Sequence, residues 1–354
     1  MVTKPTLLID KEKVVENITK MKQKAELSGC VFRPHFKTHQ SAEVGKLFRE
    51  KGIEKITVSS VSMAEYFAGN GWSNITIAFP VNLREVKNIN ALAAKIKLNL
   101  LVDSAFSANT LSKKLKNSCG LLIEIDNGYH RSGLEPEQSM EIDQIVAISR
   151  LTLKLNFKGF LTHAGNTYSA KGKEEIIGIM EDAASKLNGL KEKYQPQFPE
   201  LITSYGDTPS CSLADDLSAF DEIRPGNFVY YDVMQYHIGS CALNDIAVVA
   251  ACPIVSVYPE RNELIIYGGA VHLSKEFIAA DNGFQLFGYV VKLTENGWSE
   301  PVPGAYVSSL SQEHGIVKMP KETLTSFQPG DLIGVLPIHS CLTADMLRQN
   351  SIII

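Results

Sequence analysis

Two short segments carry residue types suited to holding an anion. Ile202-Thr203-Ser204-Tyr205-Gly206-Asp207-Thr208-Pro209-Ser210 and Ile223-Arg224-Pro225-Gly226-Asn227 each run from an apolar stretch into a turn of Gly, Ser, Thr or Pro. Such turns expose backbone N–H groups and short hydroxyls, a donor set that matches a phosphate dianion. The candidate donors are Ser204, Gly206, Thr208, Gly226 and Asn227. In a (β/α)8 barrel the loops after the seventh and eighth strands form a recurring phosphate site, and strand–helix units recur at about this spacing.

Arg33-Pro34-His35-Phe36-Lys37-Thr38-His39 reads as a strand, in which alternation puts Arg33, His35, Lys37 and His39 on one face. Four basic groups would repel one another in a dry core, whereas at a barrel mouth they meet an anionic ligand. A lysine desolvated there favours its neutral amine, the form that attacks a carbonyl. The plain alternative is a surface lysine at a strand end. His339 and Cys341 form an H-x-C pair, also expected at a strand end and on one face. Imidazole with thiolate suits zinc. Two protein ligands are too few for a structural zinc but suit a catalytic ion with open positions. Alone, such a pair is common and usually structural.

These residues need elements to place them. Asp10 is expected to cap a helix with the apolar stripe Val14, Val15, Ile18, Met21 and Ala25. Strands are expected over 30–37, 55–59, 74–78, 97–102, 120–125, 153–163, 201–204 and 220–223. Helical patterns fall between them over 41–51, 62–70, 83–94, 104–116, 135–149 and 173–194. Eight strands alternating with helices predict a (β/α)8 TIM-type barrel. No G-x-G-x-x-G follows the first strand, which sets aside a doubly wound dinucleotide-binding sheet. Beyond about residue 240 the pattern changes to strands over 246–257, 263–267, 284–293, 315–319, 332–337 and 351–354, separated by turns. The expected division is an N-terminal barrel over 10–240 and a C-terminal all-β domain over 241–354, joined by the N-terminal strand 1–9 and carrying the H-x-C pair.

The chain has 354 residues, 44% hydrophobic and 21% charged, with a net charge of −4. No long basic run or membrane-length apolar run occurs, so neither nucleic acid nor membrane is an expected partner. The first twenty residues lack the apolar core of a signal peptide. The cysteines, Cys30, Cys119, Cys211, Cys241, Cys252 and Cys341, show no paired spacing. A cytoplasmic protein with reduced thiols is expected.

Taken together, the motifs resemble the alanine-racemase-like fold of pyridoxal-phosphate enzymes, and within it the metal-dependent D-serine dehydratase and D-threonine aldolase group. The resemblance rests on Arg33–His39, Glu124-Ile125-Asp126-Asn127-Gly128-Tyr129-His130-Arg131-Ser132-Gly133, His163-Ala164-Gly165-Asn166-Thr167-Tyr168, Gly206–Ser210, Arg224–Asn227, Gln312-Glu313-His314-Gly315 and Pro337-Ile338-His339-Ser340-Cys341-Leu342-Thr343. These segments run in family order over nearly the whole chain. The resemblance implies that Lys37 is the catalytic lysine and forms the Schiff base with pyridoxal 5'-phosphate. It places Arg131 near the cofactor's phenolate oxygen, where a guanidinium would keep the oxygen ionised. It places Tyr168 near the pyridine nitrogen, where a neutral tyrosine leaves the ring a weaker electron sink than a carboxylate would. It makes His339 and Cys341 ligands of a divalent metal, zinc, with manganese as the harder alternative, that binds the substrate's β-hydroxyl. His163, at the end of a barrel strand, either packs against the pyridine ring or is a hydrogen-bonded wall histidine. His314 acquires no derived role.

The activity implied is a lyase acting on small D-β-hydroxy amino acids, a D-serine dehydratase that yields pyruvate and ammonia. Aldolase members often carry a carboxylate at the second metal position, so Cys341 favours the dehydratase branch. D-threonine aldolase is the nearest rival. An amino-acid racemase ranks lower, because no G-Y-x-x-G segment offers a second base. A non-catalytic pyridoxal-phosphate carrier ranks below these, since such relatives consist of the barrel alone. The resemblance also implies a homodimer.

Overall fold

A computed structural model describes residues 2–279, 283 and 285–354; Phe284, the expected first residue of one strand, lies outside them. The chain divides into two compact units. One comprises Thr19–Lys37 and Ala42–Gly226; the other comprises the residues up to Ile18, Thr38–Ser41 and Asn227–Ile354.

β1 is Thr6–Ile9 and belongs to the second unit. The first unit is built on β2 (Val31–Phe32), β3 (Ile56–Val58), β4 (Asn74–Pro80), β5 (Lys97–Val102), β6 (Cys119–Glu124), β7 (Leu155–His163), β8 (Ile202–Gly206) and β9 (Glu222–Ile223). These eight strands form one parallel sheet in the order β2-β9-β8-β7-β6-β5-β4-β3. A parallel bridge from His35 to Thr57 then joins the chain after β2 to β3, as a barrel requires. Apolar runs in the strands are buried on both faces, as in Cys119–Glu124, where every residue is buried. Leu101, Leu122 and Leu161, from three adjacent strands, pack into one cluster. Helices intervene as expected; that over Lys173–Tyr194 buries Ile176, Met180, Ala183, Ala184, Leu187, Leu190 and Tyr194, a helical stripe.

One expectation fails locally. The first barrel strand is two residues long, and Phe36–His39 is a turn. Pro34 brings no N–H to a ladder, and Arg33 is buried in an ion pair with Glu222 at 2.6 Å. Arg33, His35, Lys37 and His39 therefore do not share a strand face.

In the second unit the strands are β1, β10 (Val248–Tyr258), β11 (Glu263–Tyr267), β12 (Ile278–Ala279), β13 (Gln285–Leu286), β14 (Gly288–Thr294), β15 (Gly297–Leu310), β16 (His314–Lys318), β17 (Leu332–Pro337) and β18 (Ser351–Ile353). The main sheet runs β11-β16-β15-β14-β17-β10-β1-β18, and an added β10–β11 pairing closes six of its strands into a ring. β1 lies between β10, antiparallel, and β18, parallel. Asp10 caps the following helix, Lys11–Leu27, by accepting a hydrogen bond from the Lys13 N–H. No helix among the described residues is long and apolar enough to cross a membrane.

Candidate active site

Lys37 owes its place to Phe36. That ring is fully buried, with the rings of Phe48, Phe67 and Trp72 at 4.8, 5.0 and 5.0 Å between centroids. The Phe36 N–H also donates to the Thr57 carbonyl. Phe36 pins the turn, and Lys37 projects from it exposed, so the surrounding protein alone does not give it the desolvation expected of it. Its backbone N–H donates to His35 Nδ1 at 3.2 Å.

The groups around this turn are mostly cationic. Desolvation lowers the His35 pKa well below the ordinary histidine value, and Lys37, Arg224, His163 and Arg131 reinforce it. Desolvation, with Arg131 and Lys37 close by, likewise holds His163 down at about 3. Both histidines are neutral at pH 7. His163 Nδ1 lies 2.6 Å from the Gly206 carbonyl. A carbonyl only accepts, so Nδ1 carries the proton and Nε2 is an acceptor. That hydrogen bond fixes the tautomer of His163 at the end of β7. The nearby carboxylate of Glu222 is committed: it pairs with Arg33 and accepts from the Ser204 hydroxyl at 2.7 Å. Lys37 and Arg131 thus form an electropositive patch matched to an anion.

Arg131 reaches this patch from a loop built on Asp126. One Asp126 oxygen accepts the N–H groups of Gly128, Tyr129 and His130 at 2.9, 2.9 and 3.0 Å. Arg131 lies over the Tyr129 ring, 5.4 Å from its centroid, a cation–π contact. Tyr129 in turn covers Gly165, where a Cβ would stand 2.2 Å from the ring. The sequence reading gave Asp126 and Tyr129 no role, although an Asp two residues before Gly is a recognisable turn signal.

At the first phosphate-like turn, Ser204 is fully buried and braces the strand. It donates to Glu222 and accepts from Arg224 Nε at 2.8 Å, so its hydroxyl is not presented to a ligand. A Cβ on Gly206 would stand 3.0 Å from the Arg224 carbonyl oxygen, so this glycine permits close packing of β8 on the next strand. Thr208 opens the helix Thr208–Leu213, capped by Asp207. Its Oγ1 is buried with no protein partner, an orphaned donor of the kind a bound anion would satisfy. The Tyr168 hydroxyl accepts the Thr208 N–H at 3.3 Å, which sets that tyrosine beside the phosphate-like turn. Gly226 ends the first unit.

The remaining candidates belong to the second unit. Cys341 Sγ lies 3.2 Å from the Thr38 hydroxyl and 3.5 Å from Asn227 Nδ2. Asn227 also donates to Asp232 at 2.6 Å and to Ser340 Oγ at 3.2 Å. Asn227 thereby serves the cysteine's surroundings. Buried Asp232 gathers this cluster, accepting the Ser340 N–H at 2.9 Å as well. His339 and Cys341 are not at a strand end: β17 stops at Pro337, His339 is the N-cap of the helix Ser340–Met346, and Cys341 sits in its first turn. Ser340 and its hydrogen bonds to Asp232 turn the chain into that helix.

Burial alone would lower the His339 pKa. Hydrogen bonds to the Cys341 sulfur and the Glu276 carboxylate outweigh it and push the value up to about 11. The two side chains share a hydrogen bond between a nitrogen and a sulfur, the donor pair of a zinc site. Among the described residues no group of three or more His, Cys, Asp or Glu side chains is set to hold a metal. The pair therefore fits an ion that keeps open positions.

Residues 9–233 match the model of the alanine racemase N-terminal domain, and residues 247–353 match that of the putative serine dehydratase domain. The chain is 29% identical to D-serine dehydratase of Dictyostelium discoideum, covering 99% of this chain and 93% of that protein. It is 28% identical to D-threo-3-hydroxyaspartate dehydratase of Delftia sp. (strain HT23), covering 96% and 91%. A solved structure of D-threo-3-hydroxyaspartate dehydratase, a cysteine-to-alanine mutant in the metal-free form, superposes with a TM-score of 0.90 at 26% identity, covering 98% of this chain and 93% of that one.

Proposed function

The chain belongs to the alanine racemase N-terminal domain family, and from that premise we propose that it is a pyridoxal-phosphate- and metal-dependent lyase of D-β-hydroxy amino acids, acting on D-serine. The observation that carries this reading is the His339–Cys341 pair, tied through Cys341 to Thr38, the residue that follows Lys37 in the chain. The similarity to two named dehydratases over more than nine-tenths of the chain supports the same chemistry.

Lys37, Arg131, His163, Tyr168, Gly206, Thr208 and Gly226 would hold the cofactor, with Ser204 and Asn227 bracing from behind; His339 and Cys341 would hold zinc. Bound there, pyridoxal phosphate supplies an electron sink for charge at the substrate Cα, and the metal a Lewis acid for the departing hydroxyl. The protein's own part is proton handling and orientation. Lys37 Nζ takes the Cα proton as general base. Arg131 fixes an anionic oxygen by a charge-assisted hydrogen bond. His163 stays neutral and offers Nε2 as an acceptor only, so it cannot protonate a neighbour. Loss of Cα–H and Cβ–OH removes one water from D-serine; hydrolysis of the resulting imine returns one water and gives pyruvate and ammonia.

We further assign a barrel over 10–240 to the cofactor and the β domain over 241–354, with strand 1–9, to the metal. We also assign a homodimer in a reducing, cytoplasmic setting, which six free cysteines support. The test is a screen of D-serine, D-threonine and D-3-hydroxyaspartate with and without chelator. A 2-oxo acid from D-serine is expected; glycine plus an aldehyde would replace this reading by an aldolase.

A further inference from the structure

We infer that Glu276 is the positioning residue of His339, and that Gln312-Glu313-His314-Gly315 is the clamp that presents it. The inference deepens the metal reading above and rests on it. Glu276 Oε2 lies 2.5 Å from His339 Nδ1. A carboxylate accepts, so Nδ1 carries a proton and Nε2 is the nitrogen left for a metal. A ligating imidazole almost always donates its other N–H to an outer carboxylate, carbonyl or water, and a carboxylate there fixes its tautomer and ring plane and raises its basicity.

Glu276 is 63 residues from His339 in sequence, and the arm that carries it is held at several points. The arm leaves β11 through Gly268 and Gly269, forms the short helix Ala270–Leu273, and turns at Ser274. The Gly268 N–H donates to the Glu313 carbonyl at 3.0 Å, Ala270 to Ser311 at 2.8 Å, and Val271 to Gln312 at 3.2 Å. Glu313 also lies 3.8 Å from His272 Nε2. Gly269 is pressed so close to Gln312 that a Cβ would stand 2.4 Å from its carbonyl oxygen. Ser274 then takes a left-handed conformation, φ 68°, which a non-glycine residue holds only when its surroundings require it. Its hydroxyl accepts the Glu276 N–H at 3.2 Å. The helix Ala270–Leu273 packs against Ser340–Met346, the helix headed by His339. A motif to which the sequence reading gave no role thus sets the height and angle of one carboxylate.

The test uses the full-length, cofactor-loaded protein and Zn2+ itself, titrated in competition with a chromophoric chelator. Glu276→Gln keeps the shape and removes the charge; Zn2+ should bind about 10- to 100-fold more weakly. Cofactor absorbance and circular dichroism should stay unchanged. With Co2+ in place of Zn2+, Glu276→Gln should keep the sulfur-to-metal band and shift the ligand-field bands, which a merely structural role would not do. Should Glu276→Gln not fold, Glu276→Ala, which also removes the charge at this half-exposed position, is read in the same way. Zn2+ affinity within twofold of wild type overturns the inference. His339→Ala and Cys341→Ala, run alongside, separate the failures. If both lose Zn2+ while the Glu276 variant does not, only this inference falls; if neither loses it, the metal reading falls too.

Discussion

The Thr38 hydroxyl and the Cys341 sulfur lie 3.2 Å apart across 303 residues of sequence. Thr38, which directly follows Lys37 in the chain, and Cys341 both belong to the second unit. Both ends of that link can be probed.

Removing either metal donor should leave a folded protein that retains pyridoxal phosphate and loses turnover. His339→Ala, Cys341→Ala and chelated wild type should behave alike, with added zinc rescuing only the last. Thr38→Val deletes the hydroxyl at nearly constant volume, and the loss of one hydrogen bond, about 1 kcal/mol, should weaken zinc severalfold. Cys341→Asp should shift preference toward manganese, a harder ion. Metal content by atomic emission, read against rate, decides; full turnover after verified metal removal would defeat the lyase mechanism.

Borohydride should fix the cofactor on Lys37, and Lys37→Ala should abolish both the adduct and turnover. Phe36→Ala leaves Lys37 in place but empties the aromatic pocket beneath it. It should cost about 3–5 kcal/mol of stability and loosen the adduct. Peptide mapping of the reduced protein is the measurement, and an adduct on another lysine would overturn the assignment.

Gly165→Ala should spare the barrel and disturb the Arg131 loop. The added methyl meets the Tyr129 ring, an aromatic side chain partly exposed at 39%, which can swing away and take its contact with Arg131 with it. Cofactor affinity should fall about tenfold or more with melting temperature nearly unchanged. Gly206→Ala should behave differently: its methyl meets Arg224 backbone, so about 1–3 kcal/mol of stability goes as well. Paired melting curves and cofactor titrations distinguish them; equal stability loss in both variants would contradict the argument.

Acid should destabilise the fold through histidines held neutral inside it. His163 and buried His39 both have pKa values pushed down to about 3, by desolvation above all. Between pH 6.5 and 3 the unfolded chain takes up protons that the folded chain refuses, so stability falls as pH falls, by about 1.4 kcal/mol per pH unit for each histidine. Asp207 opposes this. Burial raises it to about 6, so between pH 3.8 and 6 the folded chain binds the extra proton and gains stability on acidification. Glu124 and Asp232, also raised by burial, act with Asp207. His35, His237 and His272, lowered by burial, act with His163 and His39. The histidines outnumber the carboxyls, and the net slope should be positive with pH. Urea midpoints at pH 7 and pH 5 measure it, and His163→Asn should flatten the curve; a higher midpoint at pH 5 would refute the assignment.

Much of the architecture was legible because the local patterns agree with the fold. Lys97–Val102, Lys173–Tyr194, Glu263–Tyr267 and Leu332–Pro337 have the bounds that periodicity predicts. β15 was not legible: Pro301, Pro303 and Gly304 interrupt a strand that runs from Gly297 to Leu310 through register shifts, and such residues read as loop. In the site, residues on turns with motif character were found, while Asp126, Asp232 and Glu276 were missed. A lone acidic residue carries no period or spacing; its importance lies in what folding brings to it. Pro34 and the helix that His339 heads explain why two strand-face arguments failed although the residues they singled out lie where chemistry is available.

The position of β1 has a consequence for how the chain is made. Thr6–Ile9 is synthesised before every barrel strand, yet its partners are Val248–Ala251 and Ser351–Ile353. Throughout translation of the barrel strands, which need only one another, that apolar segment waits with both edges unpaired. A nascent chain stalled beyond residue 226 would therefore present a finished barrel and a sticky, unmatched N-terminal strand, open to chaperones or to the same strand on a neighbouring ribosome.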